Sequence, residues 1–444
     1  MKIGIDALAF NVASLHLPIA VLAEKRNIDP EKLEKGLGLL KMTFPDVHQD
    51  SVVFAANALT KLVEEHRIDL TQICRIYVGS ESGIDNSKPI ASYLSALMEQ
   101  KYGDGLLQNC DVVDFTFACI GGVDALQNCF DFVRLNPDAQ TIVVTTDRAK
   151  YDLGSGGEYT QGAGAVAMLV KANPRIIAFD THWATDTKGL FDFFKPYRTI
   201  SKTEITGSDQ NPEWLGQLEQ QIEIHKDQPV FDGQYSNQCY MDRTRGAYFS
   251  LKKQLGFQGT LYDSWENIIM HLPYAFQGRR MLSEIFALDS DGKIDTSDLK
   301  SVAKSDAYQK FVAQKLAPAE KASSLVGNLY TGSIFMALLS ALSVALENQS
   351  VLEGKTFGFL AYGSGSKSKV FQGEVQTSWR EAIAPVNLFE TLAKSQELNF
   401  ETYEKLHKKE QQTGVKNPKS EWVLDRIEND NPVLMGARYY KWID

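Results

Sequence analysis

Short, continuous apolar runs that alternate with helical patterns constrain the fold of this chain more than any other sequence feature. Four such runs, each bounded by glycine or polar residues, are CRIYVGS, DVVDF, TIVVTT and GAVAMLV. Continuous apolar strands of this kind belong to sheets that are covered on both faces. Helical signals accompany them, with Asp29 and Pro30 as a helix start and apolar residues at helical spacing from Val52 to Val63. The alternation predicts an α/β fold.

One pattern occurs twice, roughly 210 residues apart. In each copy, small residues open a buried-helix pattern, and a strand that ends in a polar turn follows. The copies are CIGGVDALQNCFDFV with TIVVTTDRAKY, and NLYTGSIFMALLSALSVAL with TFGFLAYGSGS. This repetition predicts a duplicated fold, with a first half over residues 1–170 and a second half over residues 171–444. The charged stretch 404–421 is predicted to be a polar insertion that forms a solvated helix and loop.

The composition argues against several classes of protein. A formal charge of −10 and a pI near 5.4 disfavour a duplex nucleic-acid binder, which needs cations to neutralise phosphates. The N-terminal MKIGIDALAF has the pattern of a strand rather than of a signal peptide, and the apolar run from Ser333 to Leu346 is too short to span a bilayer. The five cysteines include no CxxC pair, and neither an HExxH nor a P-loop motif occurs. We therefore expect a soluble, cytoplasmic protein without a metal or redox cofactor.

The segment DFTFACIGGVDAL places Cys119 where a strand gives way to a helix. A helix N-terminus lowers the pKa of a nearby thiol and offers free backbone N–H groups to an oxyanion. Cys119 is therefore a candidate nucleophile for acyl transfer. A packed core thiol is the alternative, and this segment alone favours it, because buried cysteine is common.

Two further segments carry candidate acid–base groups. In IIMHLPYAFQGRRM, His271 ends a strand-like run and is fixed by Pro273, while in YVGSESGIDNSKP, Glu81 lies in a tight turn after a strand. Taken alone, each segment favours the alternative, a structural or solvated histidine and a glutamate in a surface turn. Together with Cys119 they supply a nucleophile, a donor to a carbonyl oxygen and a base. Acyl transfer followed by carbon–carbon bond formation needs these three groups.

Eight motifs, in order along essentially the whole chain, resemble those of the 3-hydroxy-3-methylglutaryl-CoA synthase family of the thiolase superfamily. They are GSESGID, the Cys119 segment, TTDRAKYDLGSGGEYTQGAGAVAM, FDFFKP, FDGQYSNQCY, HLPY, VGNLYTGS and AYGSGSKS. The resemblance implies a thiolase-like five-layer αβαβα fold made of two related halves. It also implies a homodimer whose substrates are acetyl-CoA and acetoacetyl-CoA.

The implied enzyme is an acyltransferase of mevalonate and isoprenoid synthesis. By the resemblance, acetyl-CoA acylates Cys119, the acetyl group condenses with acetoacetyl-CoA, and hydrolysis releases 3-hydroxy-3-methylglutaryl-CoA. Glu81 is implied as the general base for the methyl proton and as the acid toward the new alkoxide. His271 is implied to bind and polarise the acetoacetyl group.

Other positions match motif residues that bind substrate or orient the catalytic groups. The implied substrate-binding residues are Asn328, Ser364, Tyr151, Thr160, Arg279 and Arg280. The implied orienting residues are Asp85, Asp147 and Asp192. The chain departs from the family at Phe276, where a lysine usually meets the CoA phosphates, and ACIGG lacks the aromatic residue common after the cysteine. We expect the arginine pair to bind the phosphates, because arginine can do so in bidentate fashion.

Three other interpretations stay open at this point. A homologous synthase would act on carrier-protein-bound β-ketoacyl chains in polyketide β-branching and would need a protein partner. A ketoacyl synthase or thiolase would share Cys119 and His271, but it would have no catalytic glutamate at Glu81. A catalytically inactive thiolase-fold scaffold would lack a reactive thiol at Cys119.

Overall fold

The structure is a computed structural model that describes residues 1–207, 219–290, 292–295 and 298–444. The strands are β1 (Ile3–Val12), β2 (Leu15–Pro18), β3 (Lys41–Phe44), β4 (Ile73–Gly79), β5 (Asp111–Phe115), β6 (Gln140–Ala149), β7 (Gly162–Ala172), β8 (Ile177–Thr187), β9 (Phe193–Phe194), β10 (Arg198–Ser201), β11 (Gln221–Ile224), β12 (Val230–Phe231), β13 (Asn267–Met270), β14 (Thr356–Gly363), β15 (Lys367–Val375), β16 (Gln396–Glu397), β17 (Glu421–Ile427) and β18 (Arg438–Ile443). The four apolar runs predicted as strands are β4 to β7.

Helices connect and cover these strands. They are α1 (Ile19–Lys25), α2 (Pro30–Leu37), α3 (Ser51–His66), α4 (Ile90–Tyr102), α5 (Gly121–Leu135), α6 (Lys202–Thr206), α7 (Gly233–Gln254), α8 (Gln277–Leu288), α9 (Leu299–Lys304), α10 (Asp306–Lys315), α11 (Ala317–Val326), α12 (Ser333–Glu347), α13 (Trp379–Ile383), α14 (Leu388–Ala393) and α15 (Phe400–His407). Helix α2 begins as predicted, because the Asp29 side chain accepts from the Glu31 backbone N–H at 3.0 Å and Pro30 follows at the first helical position.

Nine strands form one mixed sheet in the order β13-β14-β15-β8-β1-β7-β6-β4-β5. Within the first half, β4 and β6 are parallel, whereas β6 with β7 and β7 with β1 are antiparallel. The second half repeats this series, with β13 and β14 parallel and with β14–β15 and β15–β8 antiparallel. The halves meet where β1 pairs with β8. The repeated helix-then-strand pattern in the sequence corresponds to α5 with β6 and α12 with β14.

Alternate residues of the strands face two different sets of helices. In β6, Ile142 and Val144 belong to a core shared with α3 and α4, whereas Val143 belongs to a core shared with α5 and α12. Helix α7 contacts β8, β14 and β15 in the second half. The layers are therefore α3 and α4, the first-half strands, α5 and α12, the second-half strands, and α7. The predicted αβαβα fold is confirmed.

The apolar run near residue 340 forms a core helix. Among the described residues, 330–347 is the one helical stretch long and apolar enough to span a bilayer, but 83% of it is buried inside the protein. Helix α15 covers the start of the charged stretch at 404 and ends at His407. It buries Leu406 and His407, so this part of the stretch is less solvated than the sequence indicates.

Glycines allow the elements around Cys119 to approach one another closely. A Cβ atom on Gly122, in the first turn of α5, would lie 2.4 Å from Cγ2 of Thr145 in β6. A Cβ atom on Gly79, at the end of β4, would lie 2.3 Å from Cα of Gly122. The start of α5 is thereby pressed against the ends of β4 and β6. This contact brings the loop that carries Cys119 to the turn that carries Glu81.

Candidate active site

A cavity of about 240 Å³ lies where strand ends of the two halves converge. The sequence-predicted residues that line it are Cys119, Tyr151, Thr160, His271, Arg280, Asn328 and Ser364. Glu81 joins them through the Cys119 side chain, which it contacts directly. Residues more than 240 positions apart in the chain thus share one site.

Cys119 lies in the tight connection between β5 and α5. The preceding residue, Ala118, has φ of +40°, a left-handed conformation that is uncommon for a residue with a side chain. The Cys119 Sγ donates to Glu81 Oε1 at 3.2 Å. Burial raises the pKa of the Cys119 thiol, and the charge of Glu81 adds to this effect. The pKa shift is opposite to the one expected from a helix start, because burial and a neighbouring carboxylate outweigh it.

Glu81 follows β4 and is held by a lysine that the sequence analysis did not single out. The Lys195 Nζ lies 3.0 Å from Glu81 Oε2, and both side chains are largely buried. Burial alone would lower the pKa of Lys195, but the charges of Glu81 and Asp147 raise it above its usual value. The lysine is therefore a cation that compensates the buried carboxylates. Its signal in the sequence was the motif FDFFKP, in which it is the single basic residue.

Asp147, at the polar end of β6, organises the Glu81 turn. Its Oδ1 accepts from the Glu81 backbone N–H at 2.9 Å and from the Ser82 hydroxyl at 2.8 Å. Its Oδ2 accepts from the backbone N–H of Thr331 at 3.0 Å and from the Thr331 hydroxyl. Burial raises the pKa of Asp147, and the nearby Glu81 charge raises it further. One buried carboxyl group thereby fixes the turn of the first half against the second half.

His271 directly follows β13 and faces the same cavity. Its backbone carbonyl accepts from the Tyr240 hydroxyl at 2.7 Å, which ties the histidine to α7. Burial lowers the pKa of His271 to about 3, so the imidazole is neutral at physiological pH. Among the described residues, its Nδ1 has no hydrogen-bond partner. A neutral imidazole can donate one N–H to a carbonyl oxygen.

Asp192 fixes the loop that carries Ser364. Its Oδ2 accepts from the Tyr362 hydroxyl at 2.5 Å, and its Oδ1 accepts from the Gly365 backbone N–H at 2.7 Å. The Tyr362 ring stacks on Tyr240 with centroids 4.4 Å apart. Asp192 therefore holds the loop on both sides of Ser364, and the orienting role implied by the resemblance stays a prediction.

Asn328 presents its amide nitrogen to the cavity. Its Oδ1 accepts from the Tyr330 backbone N–H at 2.8 Å and from the Ser333 hydroxyl at 3.0 Å. These two donors fix the orientation of the amide, so the NH₂ group is the part available to a ligand. Thr160 lies in the connection between β6 and β7, where its backbone carbonyl accepts from the Asn328 backbone N–H at 2.9 Å.

The family models of hydroxymethylglutaryl-coenzyme A synthase match both parts of the chain. The N-terminal model matches residues 1–174, and the C-terminal model matches residues 282–431. The chain belongs to the hydroxymethylglutaryl-CoA synthase family. The predicted family and enzyme class are thereby confirmed.

Known members of the hydroxymethylglutaryl-CoA synthase family align over nearly the full chain. The hydroxymethylglutaryl-CoA synthase of Enterococcus faecalis is 33% identical, and that of Haloferax volcanii is 31% identical, each over 91% of both chains. A solved structure of MvaS in complex with 3-hydroxy-3-methylglutaryl coenzyme A superposes with a TM-score of 0.84 at 27% identity, covering 100% of this chain and 99% of that one. The thiolase-like fold of the family is thus present here.

Asp85 and Arg279, which the family resemblance also implies, do not line the cavity. Asp85 is exposed, and its Oδ1 accepts from the backbone N–H groups of Ser87 and Lys88 at 2.7 Å each, which makes it a turn residue. Arg279 binds Glu320 through two nitrogens and lies over the Phe276 ring at 3.4 Å. Only the second arginine of the predicted pair, Arg280, lines the cavity.

The cavity also contains polar residues that the sequence analysis missed. Gln277 Nε2 donates to Asn237 Oδ1 at 3.0 Å, and both residues line the wall near His271. Tyr240 contributes to the same wall. Asn237 and Tyr240 lie on α7 within the motif FDGQYSNQCY, and Gln277 opens α8 shortly after HLPY. These two motifs were the available signals, but the sequence did not indicate which of their residues would face the cavity.

Proposed function

We propose that the protein condenses acetyl-CoA with acetoacetyl-CoA and water to give 3-hydroxy-3-methylglutaryl-CoA and CoA, through an acetyl-Cys119 intermediate. The observation that carries the proposal is the 3.2 Å contact between Cys119 Sγ and Glu81 Oε1 beside a cavity that also holds a neutral His271. This contact joins a nucleophile to a base, and the neutral imidazole supplies a hydrogen-bond donor.

The first step transfers the acetyl group to the cysteine. Because the raised pKa keeps the thiol protonated, Glu81 takes the proton as the sulfur attacks the thioester carbonyl of acetyl-CoA. The carbon–sulfur bond to CoA breaks, and the departing CoA thiolate takes up that proton. The Asn328 amide is positioned to donate to a thioester oxygen.

The second step forms the carbon–carbon bond. Glu81 removes a proton from the methyl group of acetyl-Cys119, and the resulting enolate attacks the ketone carbon of acetoacetyl-CoA. His271 donates to the ketone oxygen, and the alkoxide that forms takes the proton back from Glu81. Water then cleaves the thioester to Cys119, which leaves a free carboxylate on the product and returns the thiol.

Lys195 and Asp147 support Glu81 without touching the reacting atoms in this scheme. The Lys195 ammonium stabilises the carboxylate form of Glu81, which both steps need as a base. Arg280, at the exposed edge of the cavity, is the residue we assign to the CoA phosphates. Arg279 can join it only after releasing Glu320.

The proposed setting follows from the same resemblance. We place the reaction in the mevalonate pathway of isoprenoid synthesis and expect a cytoplasmic homodimer. The division into halves at residue 170 is also retained as a prediction. Its support is the repeated strand pairing and the family-model boundary at residue 174.

Product identification by chromatography and mass spectrometry tests the reaction. With acetyl-CoA and free acetoacetyl-CoA, we expect 3-hydroxy-3-methylglutaryl-CoA from the wild type and none from Cys119→Ala. A wild type that leaves free acetoacetyl-CoA unchanged but modifies an acetoacetyl group on an acyl carrier protein would establish the polyketide β-branching reaction instead. Inactivity with both acceptors would contradict the proposed condensation.

A further inference from the structure

A second, larger cavity is lined by residues 82–84, directly after Glu81, and has more basic than acidic side chains. Its volume is about 920 Å³, and none of its lining residues lines the cavity of Cys119. Its basic side chains are His48, Arg148, Lys150, Lys195, His225, Lys226, Lys409, Arg426 and Arg438. Its acidic side chains are Asp46, Asp50, Asp227 and Asp425. We call it the basic cavity.

Most cations of the basic cavity are compensated by the protein itself. Lys195 pairs with Glu81 at 3.0 Å, and Lys226 pairs with Asp152 at 2.9 Å. Arg438 pairs with Asp50 at 2.7 Å. Arg426 lies 3.6 Å from Asp425. These residues have their counter-charges and do not themselves require a ligand.

Arg148, Lys150 and Lys409 differ, because they line the same cavity and lack close carboxylate partners. Lys150 is 8% exposed and has no ion-pair or hydrogen-bond partner within the described parts of the chain. The Arg148 guanidinium reaches only Asp227, at 3.8 Å, and the Lys409 ammonium has no partner among the described residues. The pKa of Lys150 is lowered to about 8, mainly by burial and to a smaller extent by the charges of Arg148 and Lys409. An unpaired buried ammonium beside two like charges is a costly arrangement that an anion would relieve.

We propose that Arg148, Lys150 and Lys409 form a binding site for the phosphate or diphosphate group of a small molecule, separate from the substrate cavity. An ammonium group beside a guanidinium and a second ammonium group suits the several oxygens and the double negative charge of phosphate. Phe44, Ile84 and Leu424 line other parts of the same cavity and give apolar surface to an attached organic group. Because the chain carries an overall charge of −10, the rest of its surface repels anions, so an anion is attracted mainly to this local excess of cations.

Isothermal titration of the full-length protein with inorganic pyrophosphate and with inorganic phosphate, at constant ionic strength, tests the site. Pyrophosphate should bind, and Lys150→Met should weaken binding by about tenfold or more, as expected for loss of a charged hydrogen-bond donor. Lys409→Met should also weaken the binding of pyrophosphate. Because Lys409 is exposed, this variant tests the site even if Lys150→Met fails to fold. Lys408→Met is the matched control, since Lys408 lies on the same turn but outside the cavity.

Three results would overturn the assignment. The first is no binding of pyrophosphate to the wild type. The second is binding that Arg280→Ala abolishes and that Lys150→Met and Lys409→Met leave unchanged, which would place the anion at the substrate cavity. The third is dissociation of an oligomer by Lys150→Met or Lys409→Met in light scattering, which would assign the missing counter-charge to a second copy of the chain.

Discussion

At the scale of single residues, the site depends on the contact between a buried thiol and a carboxylate that can act as its base. Burial keeps Cys119 protonated, and Glu81 is the group in hydrogen-bond contact with its sulfur. Lys195 pairs with the Glu81 side chain, and Asp147 holds the backbone of the Glu81 turn. The chemistry of the cysteine is therefore inseparable from three residues that lie far from it in the sequence.

Replacing the base tests this arrangement. We expect Glu81→Gln to lower kcat for product formation by about 10²- to 10⁴-fold, the usual contribution of a positioned general base. The amide retains the size of the carboxylate but cannot take a proton. Glu401→Gln, on the exposed face of α15, should leave kcat unchanged. A Glu81→Gln enzyme with nearly wild-type kcat would exclude Glu81 as the base.

Replacing the cation should move the pH dependence. Burial and the Glu81 charge already raise the pKa of Asp147, so in Lys195→Met this pair of buried carboxyl groups would lose its counter-charge and would become fully ionised only at higher pH. We expect the acidic limb of kcat/KM against pH to shift upward by about 1 to 3 pH units, the usual effect of an opposite charge at this distance. An unshifted limb with an equally reduced plateau would mean that Lys195 has only a structural role.

The sequence predicted these residues to different degrees. Cys119, Glu81 and His271 each follow a strand and precede a glycine- or proline-containing turn, so their positions at strand ends were predictable, whereas the meeting of these strand ends in one site was not. Lys195 lies in irregular chain after the short strand β9, and its contact with Glu81 spans 114 positions. The direction of the Cys119 pKa shift also required the folded structure, because it depends on burial.

At the scale of elements, close packing at the start of α5 holds the cysteine loop in place. The glycines of ACIGG are needed because strands and helices of both halves converge there. Phe335 of α12 and Thr145 of β6 both lie within contact distance of where a side chain on Gly122 would be. The loop conformation is therefore set by tertiary packing as well as by its own residues.

An added methyl group at this position tests the packing. We expect Gly122→Ala to lower the free energy of unfolding by about 1–3 kcal/mol through overpacking, and to reduce kcat by moving Cys119 away from Glu81. Gly36→Ala in α2 is the matched control, because nothing lies within 4 Å of the added Cβ. Alanine there should be neutral or stabilising by about 0.5–1 kcal/mol. Urea denaturation and kcat of both variants provide the comparison, and equal stability of the two would contradict this packing argument.

The secondary structure was largely predictable, but the neighbours of each strand were not. Continuous apolar runs identified β4 to β7, and a proline and an N-cap identified α2. The sequence repeat indicated two related halves. It did not indicate that β1 and β8 join the halves in one sheet, because strand pairing depends on contacts across the whole chain.

At the scale of the whole molecule, the two halves are joined through the active site. Asp147 accepts hydrogen bonds from Ser80, Glu81 and Ser82 in the first half and from Thr331 in the second. The duplicated fold thus places a shared polar network between its copies. Stability and activity should depend on the same carboxyl group.

Substitution of this group tests the connection. We expect Asp147→Asn to lower the free energy of unfolding by about 1–3 kcal/mol, because the amide places a donor against donors in a buried network. Asp85→Asn is the control, since asparagine supports the same exposed turn and should change stability by less than about 0.5 kcal/mol. Its kcat also tests the orienting role predicted for Asp85. Urea denaturation of both variants gives the stabilities, and an Asp147→Asn protein as stable as Asp85→Asn would contradict the network's role.

The most direct test of the proposed chemistry is intact-protein mass spectrometry after brief mixing with acetyl-CoA, followed by a chase with acetoacetyl-CoA. We predict one acetyl group on the wild type and on Cys110→Ala, none on Cys119→Ala, and loss of the group during the chase as 3-hydroxy-3-methylglutaryl-CoA forms. Cys110 is the control because it lies on another part of the first half and is a free thiol. An acetyl group that forms equally on Cys119→Ala, or no acetyl group on the wild type, would contradict a nucleophilic role for Cys119.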